Sequence, residues 1–407
     1  MNLSTAIDKE TAEILGSKAL IKGSLYAAIE HSYAVACWSM PESAQWDIVI
    51  DPQPVTLAAS KTPRLHSLAS GYLIAPFNAG EKKYFIQNRI HIVIGKQTTY
   101  HADPGFESAL ETVKKTGHSK EKALIGNLLP KAASVTVATS ENYQASVEAA
   151  KKVIQTEGLQ KVVLARSKTQ PVSVDQLETV VLNLRAQYPL SCIAIHFHPE
   201  TGLWMSATPE LLLSTEADGI FKTVSLAGTQ KYDPSVPIRD VSWTHKEIEE
   251  QALVSRYIIN CFKTIRLREY IEQGPRTIQS GNLLHLKTDF TANARELHME
   301  EIGTTMLQLL HPTSAVCGMP KKPALDFIHK YENFDRKLFS GYSGPVNINK
   351  ETSLYVTLRC AQIHADAITL YAGAGITSDS VAQREFEETN LKMDVIGKAF
   401  SNLYLNC

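Results

Sequence analysis

No apolar run in the 407-residue chain is long enough to cross a bilayer as a helix. The first fifteen residues carry Asp8, Glu10 and Glu13 and lack an apolar core, so no secretory signal is expected and the chain reads as cytoplasmic. Paired cysteines are missing too. Cys37, Cys192, Cys261, Cys317, Cys360 and Cys407 are scattered singly, with no CxxC motif. They suit buried, reduced thiols and argue against a disulfide framework or a structural zinc site. Neither charge sign dominates: 41 Lys and Arg face 42 Asp and Glu, for a formal net charge of -1. That balance argues against a general binder of nucleic acid or anionic membrane. The chain also lacks internal repeats and low-complexity segments.

What is present is enough sequence for a sizeable core and one to three domains. A helix is expected over Thr11 to His31, and strands over Tyr33 to Met40, Trp46 to Ile50, Gly71 to Pro76 and Tyr84 to Ile94. Lys114 to Lys122 is charged, contains Gly117 and reads as an exposed connection. Helices follow at Tyr143 to Glu157, Val174 to Tyr188, His245 to Arg268, Arg295 to Leu310 and Pro323 to Asn333. Between them, Gln160 to Arg166 is a strand. Ser191 to His198 should pair with Leu203 to Ala207 as a hairpin around Pro199-Glu-Thr-Gly202. Phe221 to Leu226 is strand-like and runs into the turn-like Ala227-Gly-Thr229. Leu283 to Thr288, Ser353 to His364 and Ala367 to Ala372 complete the strands. Helices mixed with hairpin-connected strands, with little βαβ alternation, predict an α+β fold with large, mostly antiparallel sheets covered by helices.

The stretch after Tyr371 carries the densest signal. Gly373 and Gly375 let backbone come close to something. Ser380 with Gln383 has capping-box spacing, so a helix should begin there. On it Glu385, Glu388 and Lys392 share one face, beside an apolar stripe of Phe386, Met393, Ile396 and Phe400. The face is either solvated or part of a site.

Other charged residues sit in apolar surroundings. Lys161, ahead of Val162, Val163 and Leu164, either snorkels outward or is desolvated into a usable base. Glu210 precedes three leucines; it is either a surface strand-end residue or a partly buried acid with a raised pKa. Glu247 and Glu250 share a helix face. Arg359 lies in an apolar strand and needs an anion, either a protein carboxylate or a substrate one. His285 reads as a core histidine or an active one. His196 and His198 share a strand face, but no third ligand stands at a zinc-like spacing.

In order along the chain come Lys161-Val-Val-Leu-Ala-Arg, Ala207-Thr-Pro-Glu-Leu-Leu-Leu, Leu226-Ala-Gly-Thr, Lys246-Glu-Ile-Glu-Glu-Gln, His285-Leu-Lys-Thr, His311-Pro-Thr-Ser-Ala-Val-Cys-Gly, Tyr342-Ser-Gly-Pro and Ala372-Gly-Ala-Gly-Ile. Together these resemble the chorismate-utilising enzymes, the family of anthranilate, aminodeoxychorismate, salicylate and isochorismate synthases. The resemblance covers roughly residues 143–400. It implies one such fold over residues 1–407, with a variable part at 1–135 and a catalytic, chorismate-binding region at 140–402.

The resemblance also implies roles. Glu250 and Glu388 would hold Mg²⁺, with Glu385 and Glu247 in support. Tyr342 and Arg359 would hold the enolpyruvyl carboxylate. Gly373, Gly375 and Lys392 would surround the ring carboxylate and metal, Gly228 and Thr229 would line the site, and His285 would sit near the ring. Lys161 stands where ammonia-using members often carry glutamine, which implies water as nucleophile. The implied reaction converts chorismate to isochorismate, with Lys161 as base and Glu210 protonating the departing hydroxyl. Salicylate synthase, which goes on to eliminate pyruvate, is the alternative, and a non-catalytic chorismate-binding subunit comes third. Menaquinone or siderophore supply, a downstream isochorismate-using enzyme and a monomer or weak homodimer are the expected context. The chain departs from the family pattern at Gln251, Val316 and Val346 to Glu351.

Overall fold

The computed structural model describes residues 3–59, 62–118, 125–132, 139–156 and 158–401. Two antiparallel sheets dominate, one of ten strands and one of nine among the described residues. In the first, Lys161–Pro171 lies beside Ala367–Ile376, followed by Cys360–Ile363, Gly202–Thr208 and Cys192–His198. In the second, Leu283–Asn293, Ile220–Lys231, Leu211–Thr215, Thr352–Val356 and Tyr342–Val346 are neighbours. The expected hairpin forms, with Gly202 opposite His198 and Leu203 opposite Phe197.

Alternation along the strands builds three layers of core. Val35 and Cys37 face outward, under helices Leu3–Glu30, Leu177–Gln187 and Ala382–Ser401. Ala34, Ala36 and Trp38 point the other way, into a seam between the sheets shared with Tyr72, Trp204 and Tyr371. Helices His245–Thr264 and Ile302–Leu310 cover the outer face of the second sheet. Strands buried on both faces read as nearly continuous apolar runs, which hides where the chain changes sheet.

It changes sheet at three places in segments that read from sequence as single strands or strand ends. Tyr84 to Ile94 is two strands, Lys83–Gln87 in one sheet and Ile90–Ile94 in the other. Ser353 to His364 is likewise two, Thr352–Val356 and Cys360–Ile363, so Arg359 lies in the crossing and not within a strand. Gly202–Thr208 and Leu211–Thr215 also belong to different sheets, with Pro209 and Glu210 between them.

Other expectations are corrected. Residues 114–118 are the last turn of helix Glu107–His118 and not a connection; 119–122 lie outside the described residues. The helix placed from Arg295 begins at Ile302. Ala227-Gly-Thr229 is no end of strand: it is a bulge inside Ile220–Lys231, where pairing jumps between Ala227 and Gln230 and Gly228 takes φ +69. Ser380 caps differently from expectation, its Oγ accepting from the Thr377 N–H at 3.1 Å while Gln383 reaches Glu387 and Gln144. The five described cysteines are buried free thiols, and no described helix is long and apolar enough to cross a membrane.

Candidate active site

Two of the sheet crossings run side by side. The Ala207 N–H donates to Arg359 O at 3.0 Å, and the Val356 N–H donates to Glu210 O at 3.0 Å. This pairing places an acid and a base-rich side chain at one point of the inter-sheet seam. Above it opens a cleft whose wall includes Glu210, Arg359, Glu250, His285, Glu388 and Lys392.

Burial sets the chemistry of each group. Glu210 is 7% exposed, and desolvation pushes its carboxyl up to about 7 against the pull of Lys161, Arg359 and Lys392. Desolvation brings the Arg359 guanidinium down to about 10, with Glu388 opposing. Among the described residues that guanidinium has no ion pair or hydrogen bond, and its backbone sits at φ +46, a conformation uncommon outside glycine. His285 is 3% exposed, and burial drops it to about 3, so it is neutral. Its Nδ1 lies 2.9 Å from Gly228 O, and a carbonyl only accepts. Nδ1 therefore carries the proton, and Nε2 is a bare acceptor.

Lys161 opens the Lys161–Pro171 strand and is fully buried, its Nζ 2.8 Å from Glu250 Oε1 with no other partner among the described residues. Burial pushes Glu250 up, but Lys161, Lys246 and Lys392 together hold it below the usual carboxylate range. Gly375 is required at this meeting point: a Cβ there would stand 2.4 Å from Glu250 Oε1 and 2.8 Å from Lys161 Cε. Lys392 on the C-terminal helix donates to Gly373 O at 2.8 Å and contacts Glu388 at 2.6 Å. Gly228 has helix His245–Thr264 against it, with Glu247 Cβ 3.1 Å from where its own Cβ would be.

The structure thus gathers Glu210, Gly228, Thr229, Glu250, His285, Arg359, Gly373, Glu388 and Lys392 on one cleft, with Lys161 and Gly375 beneath it. It does not bring Tyr342 to the wall. That ring is 1% exposed in the outer core, edge-on to His311 at 4.8 Å. Phe339 and Ser340, just ahead of it, line the cleft instead. Ser340 was missed: it holds φ 62 and has a buried hydroxyl with no partner among the described residues, and nothing in the sequence marks a left-handed serine. Val316, noted as a departure, is on the wall. Gln251 is buried and donates to Thr288 Oγ1 at 3.0 Å, tying its helix to the second sheet.

The carboxylates offered to a metal are arranged in lysine pairs. Among the described residues no three His, Cys, Asp or Glu side chains stand grouped as a metal set. Glu250 leans on Lys161, Glu388 on Lys392, and Glu385 on Lys246 at 2.5 Å. Glu385 is 2% exposed, lies behind the wall and leaves Oε2 without a hydrogen-bond partner among the described residues. Glu247 is turned to the helix start, where it accepts from the Thr244 N–H at 3.0 Å. His196 and His198 stack near Tyr72 and Tyr84 at 5.9 and 4.8 Å, lowered by burial to about 3 and about 4.

Paired antiparallel sheets meet at a cleft whose charged lining is three carboxylates, Glu210, Glu250 and Glu388, and two cations, Arg359 and Lys392. The chorismate binding enzyme model matches residues 81–401, and the chain belongs to that family. The isochorismate synthase EntC of Escherichia coli (strain K12) is 29% identical over 268 residues, covering 63% of this chain and 66% of that protein. The vibriobactin-specific isochorismate synthase of Vibrio cholerae is 28% identical over 271 residues, with 63% and 66% covered. The match thus spans just under two thirds of the length of these relatives. The structure of MenF, the menaquinone-specific isochorismate synthase from Escherichia coli, superposes with a TM-score of 0.71 at 20% identity, covering 92% of this chain and 91% of that one.

Proposed function

We propose that this chain is an isochorismate synthase, adding water at ring C2 of chorismate with loss of the C4 hydroxyl. One observation carries the reading: a buried lysine and a buried carboxyl with a pKa of about 7 serve the same cleft. Glu210 keeps its proton near neutral pH and can give it to a departing hydroxyl. Lys161, fully buried with its Nζ 2.8 Å from Glu250 Oε1, is the group we assign to take the proton from water. The unpaired guanidinium of Arg359 suits a carboxylate bound through two parallel hydrogen bonds, and Lys392 beside Gly373 suits a second. Neutral His285 offers Nε2 as an acceptor to the ring. Each proton-transfer group is worth roughly 10²–10⁴ in rate.

Mg²⁺ fits the donors. Glu250, Glu385 and Glu388 all act on the Lys246 ammonium, so one cation already draws on the three hard carboxylates, and Glu385 keeps a spare buried oxygen. Glu250 and Glu388 would hold the ion, with Glu385 in support, and when bound it supplies fixed positive charge for a substrate carboxylate. Gly375 keeps that corner open. The cellular context is menaquinone or siderophore supply, with an isochorismate-using enzyme downstream. Purified protein given chorismate with and without Mg²⁺ should form isochorismate only with the ion. Salicylate with pyruvate, in the absence of an added lyase, would make it a salicylate synthase; ammonia-dependent anthranilate or binding without turnover would end the reading.

A further inference from the structure

The strand that carries Lys161 has an incomplete edge. On one side it pairs from Val162 to Pro171 with Ala367–Ile376. On the other, Gly318–Met319 covers only Val162 and Lys161, and Cys317 O accepts from the Val163 N–H at 2.9 Å. The next two edge groups, Val163 O and the Ala165 N–H, have no strand to meet. Side chains meet them instead. Arg336 Nη2 donates to Val163 O at 2.8 Å, and the Ala165 N–H donates to Glu332 Oε1 at 2.7 Å.

Arg336 does more than close that edge. Its Nε donates to Glu332 Oε2 at 2.7 Å and its Nη1 to Val316 O at 2.8 Å. The side chain is 2% exposed, with the Phe77 ring 4.2 Å from the guanidinium carbon. The Phe339 N–H donates back to Arg336 O at 2.9 Å. Val163, Val316 and Phe339 all line the cleft and come from three separate segments. One planar fork therefore ties the Val163 and Val316 walls together from behind, two residues beyond Lys161, while the backbone of the same residue holds Phe339.

We propose that Arg336, charge-balanced by Glu332, is a positioning residue for the reaction: it sets the spacing of these walls and the reach of Lys161 into the cleft. This rests on the isochorismate synthase reading. A lysine at 336 is a point donor and cannot hold two carbonyls and a carboxylate in one plane. A displacement of about 1 Å can cost roughly 10²-fold in rate.

The test compares wild type with Arg336→Lys and Glu332→Gln, measuring kcat, KM and the pH profile of isochorismate formation. Wild type should lose rate as pH rises through about 7, where Glu210 ionises. In Arg336→Lys, kcat should fall roughly 10- to 100-fold with KM within about threefold. The alkaline limb should also move to lower pH, because a loosened wall admits water and relieves the burial of Glu210. Glu332→Gln, which keeps an acceptor for Ala165, should do the same more weakly and serves alone if Arg336→Lys does not fold. A purely structural ion pair lowers the folded fraction and scales the profile without moving it. Unmoved limbs with kcat changed only in proportion to folded protein would overturn the proposal. A wild type that makes no isochorismate would instead overturn the reading beneath it.

Discussion

Arg359 should be a liability to the free protein and an asset to the complex, and the two can be measured against each other. Its guanidinium is half-buried, has no protein counter-ion among the described residues, and is brought down to about 10 by desolvation. At about 1.4 kcal/mol per tenfold, that drop from the ordinary guanidinium range corresponds to about 3 kcal/mol of penalty. The sign follows from a base whose folded pKa is lowered. Below about pH 10 the residue is charged in both states, so the folded state carries the whole penalty at pH 7. Cleft water and the packing of the side chain stem reduce the recoverable part to about 1–2 kcal/mol. Arg359→Gln should therefore raise Tm by about 1–2 °C. It also removes a bidentate charged contact, a loss of about 2–4 kcal/mol, or roughly 30- to 1,000-fold in kcat/KM. Scanning calorimetry at pH 7 with and without chorismate reads both. Wild type should be stabilised by the ligand and the variant much less. A variant that is less stable than wild type while binding chorismate equally well would refute the assignment of Arg359 as an anion site.

Three other substitutions probe the cleft. Glu210→Gln should abolish the alkaline limb near pH 7 and lower kcat by roughly 10²–10⁴, read from steady-state rates over pH 5–9. Since its raised carboxyl destabilises the fold as pH climbs from the ordinary 4.5 to about 7, the variant should also melt higher than wild type at pH 8. Gly375→Ala drives a methyl between Lys161 and Glu250, so it should cost roughly 1–3 kcal/mol by urea melt and at least tenfold in kcat. Glu388→Gln should weaken the Mg²⁺ dependence of the rate and chorismate affinity together, seen by titrating Mg²⁺ at fixed substrate; an unchanged metal response counts against its place in the metal set.

The antiparallel α+β character was legible because hairpins announce themselves through turn residues between apolar runs, as at Pro199 to Gly202. Sheet membership was not. Tyr84 to Ile94 and Ser353 to His364 each carry strand-like apolar residues on both sides of the step, and the polar residues at the step (Gln87, Asn88 and Arg89; Thr357 and Arg359) are too few to mark a change of sheet. Residues 114–118 misled in the other direction: charge and a glycine outweighed helical spacing that the structure satisfies.

The site was legible through charge in the wrong company. Lys161, Glu210 and Arg359 each stood out as ionisable groups among aliphatic neighbours; Glu210 and Arg359 are on the cleft wall, and Lys161 lies against Glu250 of that wall. What spacing could not supply was the seam. Glu210 and Arg359 are 149 residues apart in sequence and meet because both occupy crossings between the same two sheets, joined by the backbone bonds Ala207 to Arg359 and Val356 to Glu210. Ser340 and Phe339 escaped notice for a related reason, since their contribution lies in backbone conformation and in a turn fixed by Arg336. Tyr342 misled because a buried tyrosine beside Ser-Gly-Pro looks the same whether its ring faces a ligand or a core. A crossing between sheets is where a two-layer fold can admit charged side chains without breaking either ladder. That is the physical reason the ionisable residues of this chain converge there.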